Sequence, residues 1–216
     1  SKPYPFYLAY QLDDGPDGIG PPCDWLAERK WDGIRGQLVR RGGEHFVWSR
    51  GEELMTDRFP ELAATRDFIP DGTVIDGELL AWGDDAPLPF NALQKRIGRK
   101  TVPKKLLAEA PVRLMAYDLL ERDGADIRAL PFDDRRAALA QVIADLPEGL
   151  PLRLSPEVAA QDIEALKAER ARSRDLGAEG LMLKRRSAPY LAGRKKGDWW
   201  KWKVDPLTID AVMIYA

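Results

Sequence analysis

One cysteine, Cys23, and one histidine, His45, are all that the 216 residues offer of either type. A lone thiol rules out an intramolecular disulfide and fits a reducing, cytoplasmic setting. A lone imidazole excludes a Cys/His zinc set and leaves no Ser-His or Cys-His nucleophile pair unless His45 itself is the base. Beside Phe46 in an expected strand, His45 reads better as a structural residue. Charge of one sign is lacking as well: Lys+Arg 33 against Asp+Glu 35 gives a net charge of -2, so only the local distribution of charge can point to a nucleic-acid partner. The first residues, Ser1 to Tyr4, carry no secretory apolar segment and no run is long enough to span a bilayer, so no membrane is expected. What is present is 44% hydrophobic content, enough for one compact domain with a full core.

Chemistry concentrates in Glu28-Arg29-Lys30-Trp31-Asp32-Gly33-Ile34-Arg35. In an extended strand Glu28, Lys30 and Asp32 share one face, which sets a lysine between two carboxylates, while Arg29 and Trp31 share the other. Gly33 lacks a Cβ where the strand ends and lets backbone and ligand approach closely; Arg35 brings a planar donor fork suited to a phosphate or sugar. Taken alone, this pattern also describes a solvated strand edge. Ahead of it, residues 4–22 are rich in Pro, Gly and Asp and read as a loop without chemistry. Residues 25–31, 36–41 and 45–49, with Gly42-Gly43 as a turn, suggest an antiparallel meander that holds the lysine strand. Residues 56–69 place Phe59, Leu62, Ala63 and Phe68 for a short amphipathic helix with Pro60 in an early turn.

Further along, strand alternation over residues 73–82 puts Asp76, Glu78 and Leu80 on one face. Two carboxylates on a core-like strand are costly unless a cation, magnesium or a lysine, meets them. Residues 87–105 hold six basic residues, Lys95, Arg96, Arg99, Lys100, Lys104 and Lys105, and no acidic one, with Phe90, Leu93 and Ile97 at helical spacing. A helix with a basic outer face follows, either solvated or in contact with phosphates. Residues 112–120 read as an apolar strand containing Tyr117, an aromatic that most often serves the core. Residues 131–146 form a helix capped by Asp133 or Asp134, and residues 160–176 a second one ended by Gly177, both as scaffold. At the end, alternation places Trp199, Lys201 and Lys203 on one face and Trp200, Trp202 and Val204 on the other, so two lysines point into one site. Residues 184–203 hold eight Lys/Arg and one Asp, a second basic stripe suited to a nucleic-acid backbone.

Lys-Trp-Asp-Gly-Ile-Arg at residues 30–35 resembles the lysine motif of the covalent nucleotidyltransferases, the ATP-dependent DNA ligases and mRNA capping enzymes. The motifs that follow it, Ser49-Arg50, Asp76-Gly77-Glu78, Tyr117-Asp118, Glu179-Gly180-Leu181-Met182-Leu183-Lys184 and Lys201-Trp202-Lys203, stand in an order that looks most like a bacterial ATP-dependent DNA ligase, over nearly the whole chain from Tyr4. The resemblance implies an α+β fold, an ATP-grasp-like nucleotidyltransferase domain of antiparallel sheets flanked by helices. Residues 1–206 would be that domain and residues 207–216 the first strand of a truncated oligonucleotide-binding (OB-fold) barrel, with an N-terminal DNA-binding region also belonging to such enzymes.

The same resemblance implies that Lys30 attacks the α-phosphate of ATP, and that AMP passes to the 5′-phosphate of nicked double-stranded DNA before the 3′-hydroxyl displaces it. Glu28 would read the adenine edge, Tyr117 would stack on the ring, and Arg35 and Glu78 would hold the ribose. Arg50 would meet the nick phosphate, and Lys184, Lys201 and Lys203 the nucleotide. Glu179, Asp32, Asp76 and Glu78 would serve Mg2+ or Mn2+. A monomer in the cytoplasm is expected. A capping guanylyltransferase and an RNA ligase would share the lysine chemistry, and a non-catalytic nucleic-acid-binding module is a reading from another class.

Overall fold

Two sheets meet at an aromatic seam, and the seam decides where a ligand can enter. The structure is a computed structural model, and it describes residues 1–206. The expected barrel strand at residues 207–216 lies outside the described residues. In chain order the elements are β1 (Tyr7–Leu8), β2 (Tyr10–Gln11), β3 (Trp25–Trp31), β4 (Ile34–Arg41), β5 (Glu44–Ser49), β6 (Thr73–Ala81), α1 (Phe90–Ile97) and α2 (Lys104–Glu109). There follow β7 (Val112–Arg122), β8 (Ala125–Asp126), α3 (Phe132–Ala144), β9 (Leu152–Leu154), α4 (Ile163–Arg172), β10 (Ala178–Arg185), β11 (Gly193–Arg194) and β12 (Trp199–Lys203). One sheet has the order β5-β4-β6-β7-β8, with β9 added to β7; the other has the order β2-β12-β10-β3. The long ladders are antiparallel, as expected, and three short pairings, β1 on β11, β2 on β12 and β9 on β7, are parallel. This is an α+β fold of mixed sheets with few helices.

The expected meander is only half formed. The β4–β5 hairpin turns at Gly42-Gly43 as anticipated, but β3 leaves it and pairs with β10 in the other sheet, Glu28 opposite Met182. Buried residues occupy both faces of β3 from Trp25 to Arg29; it is the end strand of the β2-β12-β10-β3 sheet, and its other edge meets the chain after β9 through an isolated bridge of Glu28 to Glu157 and the bond from the Val158 amide to the Ala27 carbonyl. Gly33 lets the chain cross between sheets: a Cβ there would lie 2.2 Å from the Leu79 carbonyl oxygen and 2.7 Å from Leu80 Cδ2. The glycine is therefore demanded by β6, not by a ligand. Gly33→Ala is expected to lower the unfolding free energy by about 3 kcal/mol, the upper range for an overpacked site; urea unfolding of the two proteins measures it, and a loss under about 0.5 kcal/mol would show that the crossing has room to spare.

Residues 56–69 form no α-helix. They make two 3-10 turns, Thr56–Arg58 and Pro60–Thr65, and Phe59 and Leu62 are buried while Phe68 is exposed. The Thr65 hydroxyl donates to the Leu62 carbonyl at 2.6 Å, a local bond that competes with helix continuation. The N-cap of α3 is Pro131, with Asp133 and Asp134 in the first turn, where their charge favours the helix dipole without capping it. α4 begins later than expected, capped by Asp162, whose Oδ1 accepts from the Ala165 amide at 2.8 Å, and the segment still ends at Gly177. Tyr7, Leu26, Val39, Leu120, Phe132, Tyr190 and Trp199 form the cluster that joins the sheets. Leu12, Trp25, Leu166, Leu181, Leu183 and Trp202 close the far side of the β12–β10–β3 sheet. No helix among the described residues is long and apolar enough to cross a membrane.

Candidate active site

Between the sheets opens a cleft of about 300 Å³, lined among others by Glu28, Lys30, Arg35, Glu78, Tyr117, Lys184, Lys201 and Lys203. All eight were singled out in the sequence, and the fold brings them together from separate strands of both sheets. Two β-bulges aim the key side chains. Between Ala178 and Leu181 the ladder of β10 against β3 gains a residue on β10, and the Glu179-Gly180 peptide at that bulge turns Glu179 toward Lys30. Gly180 has φ 145°, and a Cβ on it would lie 2.2 Å from the Trp202 carbonyl oxygen, so only glycine fits. Between Asp76 and Gly77 the ladder of β6 against β7 shifts in the same way and leaves Tyr117 as the extra residue on β7, free to face the cleft.

The floor is a buried charge network. Arg35 donates to Asp76 from Nε at 3.0 Å and from Nη2 at 2.6 Å, and to the Tyr7 carbonyl from Nη1 at 2.6 Å. The Tyr190 hydroxyl donates to Asp76 Oδ2 at 2.6 Å, and Asp76 is fully buried. The Arg35 guanidinium also lies 5.3 Å from the centre of the Phe6 ring and 5.5 Å from that of Tyr117. Asp76 has both oxygens held by Arg35 and Tyr190 beneath the surface, a setting unlike the open metal ligand expected of it, and the Arg35 fork expected at a ribose is taken up by Asp76 and Tyr7. What Arg35 offers the cleft is its flank; burial opposes its charge, but the Asp76 carboxylate outweighs burial and holds the pKa well above the ordinary arginine value.

Glu28 also turns inward. One of its oxygens accepts from Lys184 Nζ and the other from Arg136 Nη1 at 3.2 Å, and Glu28 and Lys184 are each only 1% exposed. The Lys184 ammonium sits 3.9 Å from the centre of the Tyr117 ring and 4.4 Å from that of Trp199, and burial lowers its pKa although Glu28 opposes the shift. Arg136 escaped the sequence reading, which took its helix for scaffold. It further donates to the Tyr117 carbonyl at 3.3 Å and to that of Ser155, and so ties β3, β7 and the chain after β9 together. Its neighbour Arg135 binds Asp118 at 2.9 and 3.1 Å, both wholly buried. Two adjacent arginines followed by a mostly apolar run, Ala137 to Ala144, are the signal that could have shown them.

At the mouth, Lys30 Nζ lies 2.5 Å from Glu179 Oε2. The lysine thus pairs with a carboxylate from β10 rather than standing between Glu28 and Asp32. Burial pulls the Glu179 carboxyl up, but the Lys30 hydrogen bond and charge outweigh it and hold the group below its ordinary value. Asp32 is raised, first by burial and then by the Glu179 charge beside it. Beyond Glu179 the cleft is cationic. Lys201, Lys203, Arg50 and Arg194 line the cleft, and burial followed by the Arg194 and Lys203 charges lowers the Lys201 pKa. Trp200 and Trp202 anchor that strand from the far face, as their alternation predicts.

Glu78 faces the cleft without a hydrogen-bond partner among the described residues, and burial pushes its pKa from 4.5 up to about 7, against the lowering charges of Arg35 and Lys30. Its folded value exceeds its unfolded value, so its share of stability is present below about pH 4.5 and is lost as the pH rises through 7. In nucleotide-free protein the wild type should lose up to about 3 kcal/mol relative to Glu78→Gln between about pH 5 and pH 8. Urea midpoints of both proteins at the two pH values measure this; an unchanged gap would mean that Glu78 ionises freely in the fold.

The amino-terminal segment, read as a chemistry-free loop, is a wall of the cleft. Leu8 and Ala9 line it, Tyr7 supplies the carbonyl that holds Arg35, and the Tyr7 and Trp199 ring centres are 4.3 Å apart. The Tyr4 backbone brackets the buried Gln37 amide with bonds of 2.9 and 2.8 Å. His45 is half-buried and outside the cleft, as a structural residue would be. Among the described residues no group of three or more His, Cys, Asp or Glu side chains is placed to hold a metal ion by itself.

Known proteins resemble this chain in sequence and in fold. Residues 20–203 match the family model described as ATP dependent DNA ligase domain. A probable DNA ligase of Sorangium cellulosum is 36% identical over 217 residues, covering 100% of this chain and 39% of the relative, and one of Streptomyces avermitilis is 34% identical over 97% of this chain and 40% of its own length. The chain thus spans about two-fifths of these curated relatives. Among solved structures, a mycobacterial DNA ligase D complexed with ATP and MES superposes with TM-score 0.73 at 26% identity, over 92% of this chain and 60% of that one. Chlorella virus DNA ligase-adenylate, at 20% identity and TM-score 0.68, shares the fold. With a lysine, a bulged glutamate and a pair of strand-borne lysines converging on one cleft inside the matched segment, the chain belongs to the ATP-dependent DNA ligase domain family.

Proposed function

We propose that this chain charges itself with AMP on Lys30 as the first step of sealing nicked double-stranded DNA. The observation that carries the reading is the contact of Lys30 Nζ with Glu179 Oε2 at the mouth of a cleft that Lys201 and Lys203, from β12 of the same sheet, also line. A lysine attacks only as a neutral amine, and Glu179 is the group in contact with the proton it must shed. In the proposed reaction the Lys30 nitrogen forms a bond to the α-phosphorus of ATP, the bond from that phosphorus to the bridging oxygen breaks, and pyrophosphate leaves with the electron pair. Lys201, Lys203, Arg50 and Arg194 face the phosphate oxygens on which negative charge builds. An oxygen of the DNA 5′-phosphate then displaces Lys30 from AMP, and the 3′-hydroxyl finally displaces AMP.

The base would lie against Tyr117, with the Glu28–Lys184 pair at its edge and Glu78 toward the sugar. Arg136 holds that edge in place from behind. A divalent ion suits the Asp32 and Glu179 carboxyls, the first raised by burial and then by the charge of the second; magnesium commonly takes one or two carboxylates and completes its sphere from phosphates and water. Asp32 and Glu179 would hold it, and it would supply positive charge to the phosphate oxygens.

Tyr117→Ala should weaken ATP binding by about 1–3 kcal/mol through lost stacking. Tyr117→Phe should be nearly silent, because the hydroxyl has no hydrogen-bond partner among the described residues; equal damage from both in a nucleotide titration would show that the hydroxyl, not the ring face, makes the contact. The reading as a whole is tested with α-labelled ATP and GTP in parallel, followed by a chase with nicked duplex DNA. Label from ATP that becomes bound to protein and then moves to the DNA 5′ end supports it; label from GTP alone would mean a capping-type guanylyltransferase.

A further inference from the structure

We propose that the exposed cations of α1, α2 and the link between them are a docking face for the phosphate backbone of duplex DNA; the identity of the duplex as a nicked substrate rests on the reading above. Lys95, Arg99, Lys100, Lys104 and Lys105 are all exposed, and the segment from residue 87 to residue 105 contains no acidic residue. Only Lys105 has a carboxylate in reach among the described residues, Glu109 at 3.7 Å, and both ends of that pair are largely solvated. Other surface cations are paired, Arg40 with Asp71, Arg128 with Asp126 and Arg172 with Glu169, while Arg194, Lys195 and Lys196 make a second exposed basic run. A face left without anions is what a partner made of regularly spaced phosphates would match.

The sixth cation of the segment does something else. Arg96 turns inward, is fully buried, and forms a two-pronged pair with Glu61, 2.7 Å at each oxygen, while donating to the carbonyls of Ala110 at 3.0 Å and Arg58 at 2.8 Å. This pins α1 to the turns after β5 and gives the outward cations a rigid base, which lowers the entropy lost when they meet a backbone. The first residue of α1 lies at the reactive end of the fold. Pro87, Leu88, Pro89 and Phe90, which lead into α1, line a groove of about 520 Å³ together with Asp32 and Glu179. A duplex lying on α1 and α2 would therefore run past the carboxylate that meets Lys30. Backbone recognition of this kind reads no sequence and weakens steeply with salt.

The test is a variant with Lys95, Arg99, Lys100, Lys104 and Lys105 all changed to alanine, compared with wild type for binding of a fluorescent nicked duplex from about 50 to 300 mM KCl. The variant should bind at least about tenfold more weakly at the lowest salt, and the slope of log affinity against log salt should shrink by about 3 or more, since every phosphate that the protein no longer neutralises takes ~0.9 from the slope. Lys30 adenylylation from ATP should keep its wild-type rate, because none of the five residues lines the cleft. An unchanged slope and affinity in a variant that still adenylylates would overturn the docking face and leave the lysine chemistry standing. Absence of salt-dependent duplex binding by wild type would overturn it too. Loss of adenylylation in wild type would instead sink the reading on which the nicked substrate rests.

Discussion

Lys30→Ala and Lys30→Arg both abolish transfer of AMP to the protein while leaving it folded. Alanine has no side-chain nitrogen, and the arginine guanidinium stays protonated and offers no free electron pair at any working pH. The fold tolerates the change because the Lys30–Glu179 pair is partly open to solvent, with side chains 21% and 34% exposed, so its loss should alter stability by at most about 1 kcal/mol. The measurement is covalent label from ATP on each variant beside its thermal unfolding curve. Wild-type labelling of the alanine variant would move the nucleophile to another residue.

Asp76→Ala should do its damage through stability instead. It leaves the Arg35 guanidinium buried without a counter-charge and the Tyr190 hydroxyl without its acceptor, a loss of about 3–5 kcal/mol of the kind seen when one partner of a buried pair is removed. For a chain of this size that corresponds to a fall in Tm on the order of 10 °C. Because Arg35 also holds the Tyr7 carbonyl, the wall formed by Leu8 and Ala9 should loosen and ATP binding weaken with it. The fall in Tm should be the same with EDTA as with magnesium. A variant of unchanged Tm that lost only a magnesium-dependent rate would restore Asp76 to the metal site.

Where strands run without bulges, the site was legible in the sequence. The alternation of Trp199, Lys201 and Lys203 against Trp200 and Trp202 holds because β12 pairs regularly with β10. Glu179 and Tyr117 were found as motif residues, but their aim depends on bulges, which a period of two cannot register. The partner of Glu28 was out of reach for another reason: Lys184 lies 156 positions away, and face-sharing within one strand says nothing about what crosses from another. Asp76 and Glu78 do share a face, as read, yet one is sealed under Arg35 and the other is left open, a difference set by β4 and Tyr190. The segment from Tyr4 to Gln11 was misjudged because the Pro, Gly and Asp of residues 12–22 coloured the whole stretch; Tyr4, Phe6, Tyr7 and Tyr10 were the sign of a packed edge.

The central claim is that Lys30 carries AMP. Intact-mass analysis of residues 1–216 after incubation with ATP and magnesium, followed by peptide mapping, tests it most directly. The account predicts a mass increase of a single AMP, acid-labile as a phosphoramidate is, on the peptide containing Lys30. An unmodified protein, or AMP on Lys184, Lys201 or Lys203 in place of Lys30, would contradict it.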